Sequence, residues 1–411
     1  MKSLYNIALT ISENLLKVFG NFFGSKVHFF KVGQQQVFSR LNQCLQKDKP
    51  VIWFHVSSLG EYEQALPVME AIKKEFGNHQ IVLSFFSPSG YEIKKDKTPA
   101  GCVVYLPIDT RANAKKFIDT INPVMVFFTK YDLWPNYLYE LQKRQIPVYL
   151  ISGLFKTNHS FFKWSWLRQS LKAFHHFFVQ DQVSKQALQD QGFENISITG
   201  DTRFDRVHQI AQQTDSLDFV KRFKNNQKLL VAGSTWPSDE KILVPYINTA
   251  SHDFKTVIAP HEVDDAHVNG ILKQLKKKAI RYTDIKAETD LSSYDVLILN
   301  TIGLLNKTYH YADIVYIGNG FGKSIHNIQE PAVYGVPIIT GPHIQKFNEA
   351  VDLKKLGGLI TVTDYNSLKK ILDQLWQNDH LRTKKAATTK TYALKNIGAT
   401  EKIIRYLKNQ Q

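Results

Sequence analysis

A chain of 411 residues is longer than one hydrophobic core usually supports, so two domains of roughly 200 residues each are expected. Its 43% hydrophobic and 22% charged residues exclude a disordered chain. Two cysteines, Cys44 and Cys102, argue against a disulfide scaffold or a cysteine-based zinc site and fit a reducing compartment, while a net charge of +15 without any zinc-finger, RRM or KH signature favours anionic partners other than nucleic acid.

The chain opens with "MKSLYNIALTISENLLKVFGNFFGSKVHFFKV". Leu4, Ile7, Ala8, Ile11, Leu15, Val18 and Phe22 fall at helical spacing, with Phe19, Phe23, Phe29 and Phe30 nearby and lysines interleaved. The uncharged stretch from Leu4 to Ser12 is too short to span a membrane, and no small-residue cleavage site follows it. Residues 1–35 therefore read as an amphipathic segment lying on an anionic membrane surface. Apolar runs then alternate with helix-period or loop segments. "VIWFHV", "QIVLSFF", "VVYLP", "VMVFFTK", "PVYLIS" and "HHFFVQ" come first, and "KLLVAGS", "KTVIAP", "DVLILN", "DIVYIG" and "VPIIT" follow. Such alternation indicates parallel sheets covered on both faces. Two series give an α/β chain of two doubly wound domains, 36–210 and 211–411, parted in the polar stretch "DRVHQIAQQTDSLDFVKRFKNNQ". The basic cluster "LKQLKKKAIRY" reads as a solvated helix face.

In open α/β sheets ligands sit beyond the carboxyl ends of the strands, so the loops there matter most, and two facing domains would enclose a cleft. Five stand out. In "SSLGE", Ser58 and Gly60 precede Glu61 at a helix start, where free amides favour an anion and a carboxylate can act as a base or simply complement the helix dipole. "SPSGYE" repeats the pattern with Ser87, Ser89 and Gly90. "TKYDLWPNYL" adds a second carboxylate, Asp132, before a Trp-Pro pair that suits a first helical turn, where the plainer reading is an N-cap. "AGSTWPSDE" offers Ser234 and Thr235 to a phosphate. The densest signal is "YIGNGFGKSIHNIQEPAVYGVPIITGPHIQKF", with Gly320 in a glycine-rich turn and His326, Asn327 and Glu330 at spacings that share a helix face. Glu330 there could accept both hydroxyls of a ribose.

In this order the motifs resemble the Kdo (3-deoxy-D-manno-oct-2-ulosonic acid) transferases of lipopolysaccharide synthesis, over nearly the whole chain. "SLGE", "SPSG", "PID" (107–109), "KYDLWP", "GDTRFD" (200–205), "STWPSDE", "PHE" and "SIHNIQEP" stand where the family has its loop motifs. The resemblance implies a GT-B fold, two Rossmann-like domains with the acceptor in the first and the nucleotide sugar in the second, the last helix free to pack back on the first. It implies transfer of Kdo from CMP-Kdo to a lipid A precursor (lipid IVA) with inversion at the cytoplasmic face of the inner membrane, without metal or other cofactor. By the same resemblance Glu61 is the base, with Asp132 matching a second acidic position. Ser58, Gly60, Ser87, Ser89 and Gly90 would face the acceptor, and Ser234, Thr235, His261, Gly320, His326, Asn327 and Glu330 the donor. Lys130, Trp236 and His261 depart from the family pattern, in which the positions carry glutamate, histidine and arginine. His261 thus offers a weaker, pH-dependent cation to the donor. The rival reading is a GT-B transferase for a UDP- or GDP-sugar.

Overall fold

The computed structural model describes residues 1–19, 24–213, 216–322 and 324–410. Phe22 and Phe23 of the amphipathic segment, and Thr214 and Asp215 of the boundary stretch, lie outside them. The chain divides into two compact units, Met1–Arg206 with Ile397–Gln411, and Val207–Asn396.

The first unit holds a parallel sheet of β1 (Val51–Val56), β2 (Gln80–Phe85), β3 (Cys102–Tyr105), β4 (Pro123–Thr129), β5 (Val148–Gly153), β6 (Phe174–Val179) and β7 (Ile196–Ile198). Their order is β3-β2-β1-β4-β5-β6-β7. Every residue of β1, β2, β3 and β5 is buried, which is why these strands read as unbroken apolar runs rather than alternating ones. Trp53 lies at the centre, its ring 5.2 Å from Phe117, 5.5 Å from Phe128 and 5.7 Å from Tyr137. The chain runs outward from β1 to β3 and then returns to β4 on the other flank. That reversal leaves a switch point at the carboxyl ends of β1 and β4, where such sheets bind ligands.

The second unit repeats the plan with β8 (Lys228–Thr235), β9 (Phe254–Pro260), β10 (Ala279–Arg281), β11 (Val296–Ile298), β12 (Ile314–Ile317), β13 (Ile338–Thr340) and β14 (Leu359–Thr361). The order β10-β11-β9-β8-β12-β13-β14 puts its switch point between β8 and β12.

Three expectations need correction. The division falls after Arg206 rather than residue 210, while residues 397–411 belong to the first unit, the packing back expected of the last helix. The reason is the helix Ala399–Lys408: Ile403, Ile404 and Leu407 join the first core, and Asp205 accepts the amides of Gly398 and Thr400, both at 2.6 Å. Cys44 and Cys102 are bonded to each other, their Cα atoms 5.4 Å apart, because one helix end is packed on β3. Lys276–Lys278 lie beyond the helix Asp265–Gln274, in the turn into β10, so the basic cluster is a solvated turn.

Two helices precede β1: α1 (Lys2–Phe19) and α2 (Gly24–Cys44). α2 packs Val37 and Leu41 into the core. α1 is held by polar contacts and by the Tyr5 ring against that of Trp166, 5.2 Å between centres. Tyr5 donates to Asp109 at 2.7 Å, Asn136 donates to Asn6 at 2.8 Å, and the Lys2 ammonium lies 3.5 Å from the centre of the Tyr139 ring. Its other face presents Leu4, Ile7, Ile11 and Leu15, each more than half exposed. Among the described residues no helix is long and apolar enough to cross a membrane.

Candidate active site

Glu61 follows β1 and Asp132 follows β4, so both carboxylates belong to the first unit's switch point. Glu61 sits in the first turn of α3 (Leu59–Glu75), whose N-cap is Ser58. Glu61 Oε2 accepts the amides of Ser57 at 2.7 Å and Ser58 at 3.1 Å, completing a capping box. The plain helix-start role is therefore real. It also pins one carboxylate oxygen, while Oε1 takes no hydrogen bond from the described residues. Burial, and after it the charge of Asp132, push the Glu61 pKa above the ordinary carboxylate value, against the Ser57 and Ser58 amides and His55.

Asp132 is not the cap of the following helix, Pro135–Lys143; Trp134 holds that position. Asp132 Oδ2 instead accepts from the Ser57 hydroxyl, from Trp134 Nε1 at 3.2 Å, and meets His55 Nε2 at 2.7 Å. Burial raises its pKa, but the bonds from His55, Ser57 and Trp134 outweigh burial and hold the carboxyl below its usual value. His55 itself is fully buried on β1 and was not singled out in the sequence. Inside "VIWFHV" one histidine resembles a core residue, and only its ladder pairing with Ser84 shows the polar partners.

The other first-unit candidates divide. Ser87 caps α4 (Pro88–Lys94) by position, and its hydroxyl pairs with that of Ser89 at 2.7 Å. Gly60 is open: a side chain there would meet only the Ser58 hydroxyl, at 3.9 Å. Gly90 is buried, and a Cβ would strike the Phe85 ring at 2.8 Å and approach the Leu59 amide at 3.2 Å. Its small size lets α4 pack on the start of α3 rather than letting a ligand approach. Two further motifs prove to be supports. Asp109 of "PID" receives the amides of Asn136 and Tyr137, both at 3.2 Å, at the helix start that follows Asp132. In "GDTRFD", Asp201 takes the Gln64 amide group at 3.0 Å and Thr202 donates to the Gln64 carbonyl at 2.5 Å, fixing α3 one turn beyond Glu61.

In the second unit the candidates come from the loops after β8, β9 and β12. Three rings are stacked: Trp236 on His261 at 4.7 Å, and His261 on His326 at 4.6 Å. Trp236 Nε1 donates to His326 Nε2 at 3.0 Å, so that nitrogen is an acceptor and His326 is neutral. Burial, then the neighbouring His261, push the His326 pKa down to about 4. Two departures from the family pattern are thus in direct contact. Thr235 is fully buried and donates to Glu240 at 2.9 Å, so its hydroxyl serves the loop and not a ligand. Ser234 has φ 53°, a left-handed conformation that turns the chain as β8 ends. Gly320 is also a packing glycine, since a Cβ would lie 2.3 Å from the Gly341 amide. His326, Asn327 and Glu330 do not share a helix, which begins only at Gln329. Asn327 stands just before its N-cap, Ile328, accepts the Gln329 amide at 2.9 Å, and donates to Glu330 at 3.2 Å. Asp239, overlooked in the sequence, ties the two loops together. It accepts the amides of Trp236 at 2.9 Å and Asn319 at 2.8 Å, and the Tyr316 hydroxyl at 2.8 Å. Its place three residues after Trp236 is a capping-box spacing that could have revealed it. Glu262, Asp264 and His267 bring ligand-type atoms within 4.8 Å of one another, but Asp264 caps a helix and His267 is bonded to Glu240 at 2.8 Å.

Residues 33–206, which include both carboxylates, match the family model described as 3-deoxy-D-manno-octulosonic-acid transferase (kdotransferase). The chain carries a Kdo transferase domain. By that domain it is a glycosyltransferase. A 3-deoxy-D-manno-octulosonic acid transferase of Chlamydophila psittaci is 26% identical over 336 residues, 79% of this chain and 76% of the relative. Among solved structures, the Kdo transferase domain and its companion unit together resemble a UDP-GlcNAc 2-epimerase from Neisseria meningitidis (TM-score 0.64, 14% identity, 88% of this chain and 100% of that one). A glycosyltransferase from Rickettsia africae is similar at TM-score 0.57, with 14% identity over 88% of this chain and 98% of that one. These likenesses show the fold, two Rossmann-like units of the GT-B type.

Proposed function

We propose that this protein transfers Kdo from CMP-Kdo to a hydroxyl of a lipid A precursor, with inversion, in lipopolysaccharide biosynthesis. The Kdo transferase domain over residues 33–206 carries the reading. Glu61 takes the proton of the acceptor hydroxyl, that oxygen bonds to the anomeric carbon of Kdo, and the bond from that carbon to the CMP phosphate breaks as CMP leaves. Three features suit Glu61 to this: a pinned Oε2, an Oε1 open to an incoming hydroxyl, and a proton affinity raised by burial and by Asp132. Ser58, Gly60, Ser87 and Ser89 at the same sheet edge are the acceptor candidates that remain. Ser234, His261, His326, Asn327 and Glu330 would take CMP-Kdo. CMP carries a single phosphate, so its departure calls for no diphosphate-chelating metal, and the reaction is read as metal-independent.

The acceptor is a phosphorylated, acylated sugar, which calls for work at a lipid surface. The exposed stripe of α1 and the net charge of +15 support docking on the anionic cytoplasmic face of the inner membrane.

The test is transfer from CMP-Kdo to lipid IVA with EDTA present, wild type beside Glu61→Gln, read by product mass. The expected result is Kdo addition by wild type and a loss of at least roughly a hundredfold in the variant, the low end of what a positioned base supplies, with CMP binding retained. No transfer by wild type, with CMP-Kdo left intact, would remove the reading and point to another nucleotide sugar.

A further inference from the structure

Every other residue of β1 is apolar, yet its fifth position is a fully buried imidazole. Burying one demands a partner for each ring nitrogen. His55 has both, supplied from two segments. Nδ1 lies 2.8 Å from Ser84 Oγ on β2, and Nε2 lies 2.7 Å from Asp132 Oδ2 beyond β4. Trp53 Nε1 donates to Ser84 at 2.8 Å, and Trp134 Nε1 lies 2.8 Å from His55 Nε2 and 3.2 Å from Asp132 Oδ2.

The protons of this chain can be assigned from what each group is able to do. Indoles only donate, and a carboxylate only accepts. A bare Nε2 would accept the Trp134 N–H, but it would then face a carboxylate oxygen at 2.7 Å with no hydrogen between them. With the proton on Nε2, His55, Trp134 and Ser57 all donate to Asp132, and the Ser84 hydroxyl can donate to Nδ1 at 2.8 Å in preference to the Phe54 carbonyl at 3.4 Å. Ser57 joins this group to the proposed base: its N–H goes to Glu61 and its O–H to Asp132.

We propose that His55 is the positioning residue of the site: its Nε2–H holds Asp132 as a carboxylate beside Glu61, and Ser57 ties the two carboxylates into one unit. The standing charge on Asp132 then makes Glu61 a stronger base toward an acceptor hydroxyl. The titratable groups acting on Glu61 are Asp132, which raises its pKa, and His55, which lowers it. The remaining neighbours of His55, Trp53, Phe128 and Trp134, carry no charge. The inference deepens the reading of Glu61 as base and rests on it for its catalytic consequence.

Two measurements on the full chain separate the inference from that reading. The first needs no turnover: imidazole nitrogen NMR on protein with isotope-labelled histidine, with the His55 signal assigned by its loss in His55→Gln. The expected result is a protonated Nε2 throughout the neutral pH range, and an unprotonated Nε2 overturns the proposal. The second is the pH profile of kcat/KM for transfer from CMP-Kdo to lipid IVA. Asp132→Asn should move the acidic limb down by about one pH unit, the loss of one nearby like charge. His55→Phe should move it the same way, because a buried Asp132 left with only the Ser57 and Trp134 donors takes up a proton more readily, with kcat reduced and the KM for CMP-Kdo unchanged. His55→Gln, which keeps a donor toward Asp132, should restore the wild-type limb. Coincident limbs in all variants overturn the proposal, and should His55→Phe fail to fold, Asp132→Asn and the NMR measurement decide. A wild type that transfers nothing sinks the reading of Glu61 but leaves the NMR result to judge His55.

Discussion

Two buried histidines make this molecule sensitive to acid. His326 and His176 both have pKa values pushed down to about 4, first by burial and then by a neighbouring histidine, from an ordinary 6.5. In each case the unfolded state binds the proton more readily, so stability is complete above about 6.5 and is lost as pH falls from there toward 4. Thermal unfolding across that window should show a falling Tm for wild type and a flatter curve for a His176→Gln, His326→Gln double variant. A double variant whose Tm follows the wild-type curve over the window would count against both buried neutral rings. Trp236 contributes through its N–H to His326 Nε2, so Trp236→Phe should weaken CMP binding or the stack without touching transfer chemistry at Glu61.

At the scale of elements, α1 is fastened near its start, where polar contacts matter. Tyr5→Phe removes the donor to Asp109, a buried carboxyl whose pKa burial pushes up to about 7 despite three donors. The change should cost about 1 kcal/mol locally and raise hydrogen exchange in residues 2–19, with the rest of the first unit unchanged. Replacing Leu4, Ile7 and Ile11 together by serine should reduce binding to vesicles containing anionic lipid and leave the fold intact, because those side chains are exposed. Undiminished vesicle binding would assign the membrane contact elsewhere. The same scale shows what could be read from sequence. The central strands were legible because both faces are covered, which demands continuous apolar runs such as "VIWFHV". β7, β10 and β14 were not, since each is a three-residue edge strand with only one buried residue and no run to detect. Glu61 and Asp132 were legible as strand-end carboxylates. Their pairing was not, because it depends on β4 lying beside β1, which no local pattern encodes. Gly90, Thr235 and Gly320 misled for the complementary reason: a small or hydroxylated residue in a strand-end loop looks the same whether it faces a ligand or another backbone.

For the whole molecule, the decisive feature is that the first unit is built from both ends of the chain. Deleting residues 397–411 removes Ile403, Ile404 and Leu407 from the core and leaves Asp205 without the Gly398 and Thr400 amides. Each buried aliphatic side chain is worth roughly 1.5–3 kcal/mol, so the sum rivals the total stability of a typical domain, about 5–15 kcal/mol. The truncated protein should show proteolytic cleavage within residues 1–206 while residues 207–396 resist. Equal resistance of the two units would mean the returning helix is dispensable.

That returning helix also dictates a timetable. During synthesis the ribosome delivers the first sheet early, yet the segment that seals it emerges only after all of residues 207–396. The nascent first sheet must therefore wait, with the core positions of Ile403, Ile404 and Leu407 unfilled, until residues 397–411 have been made. The first unit is in this way completed only after the second has been synthesised.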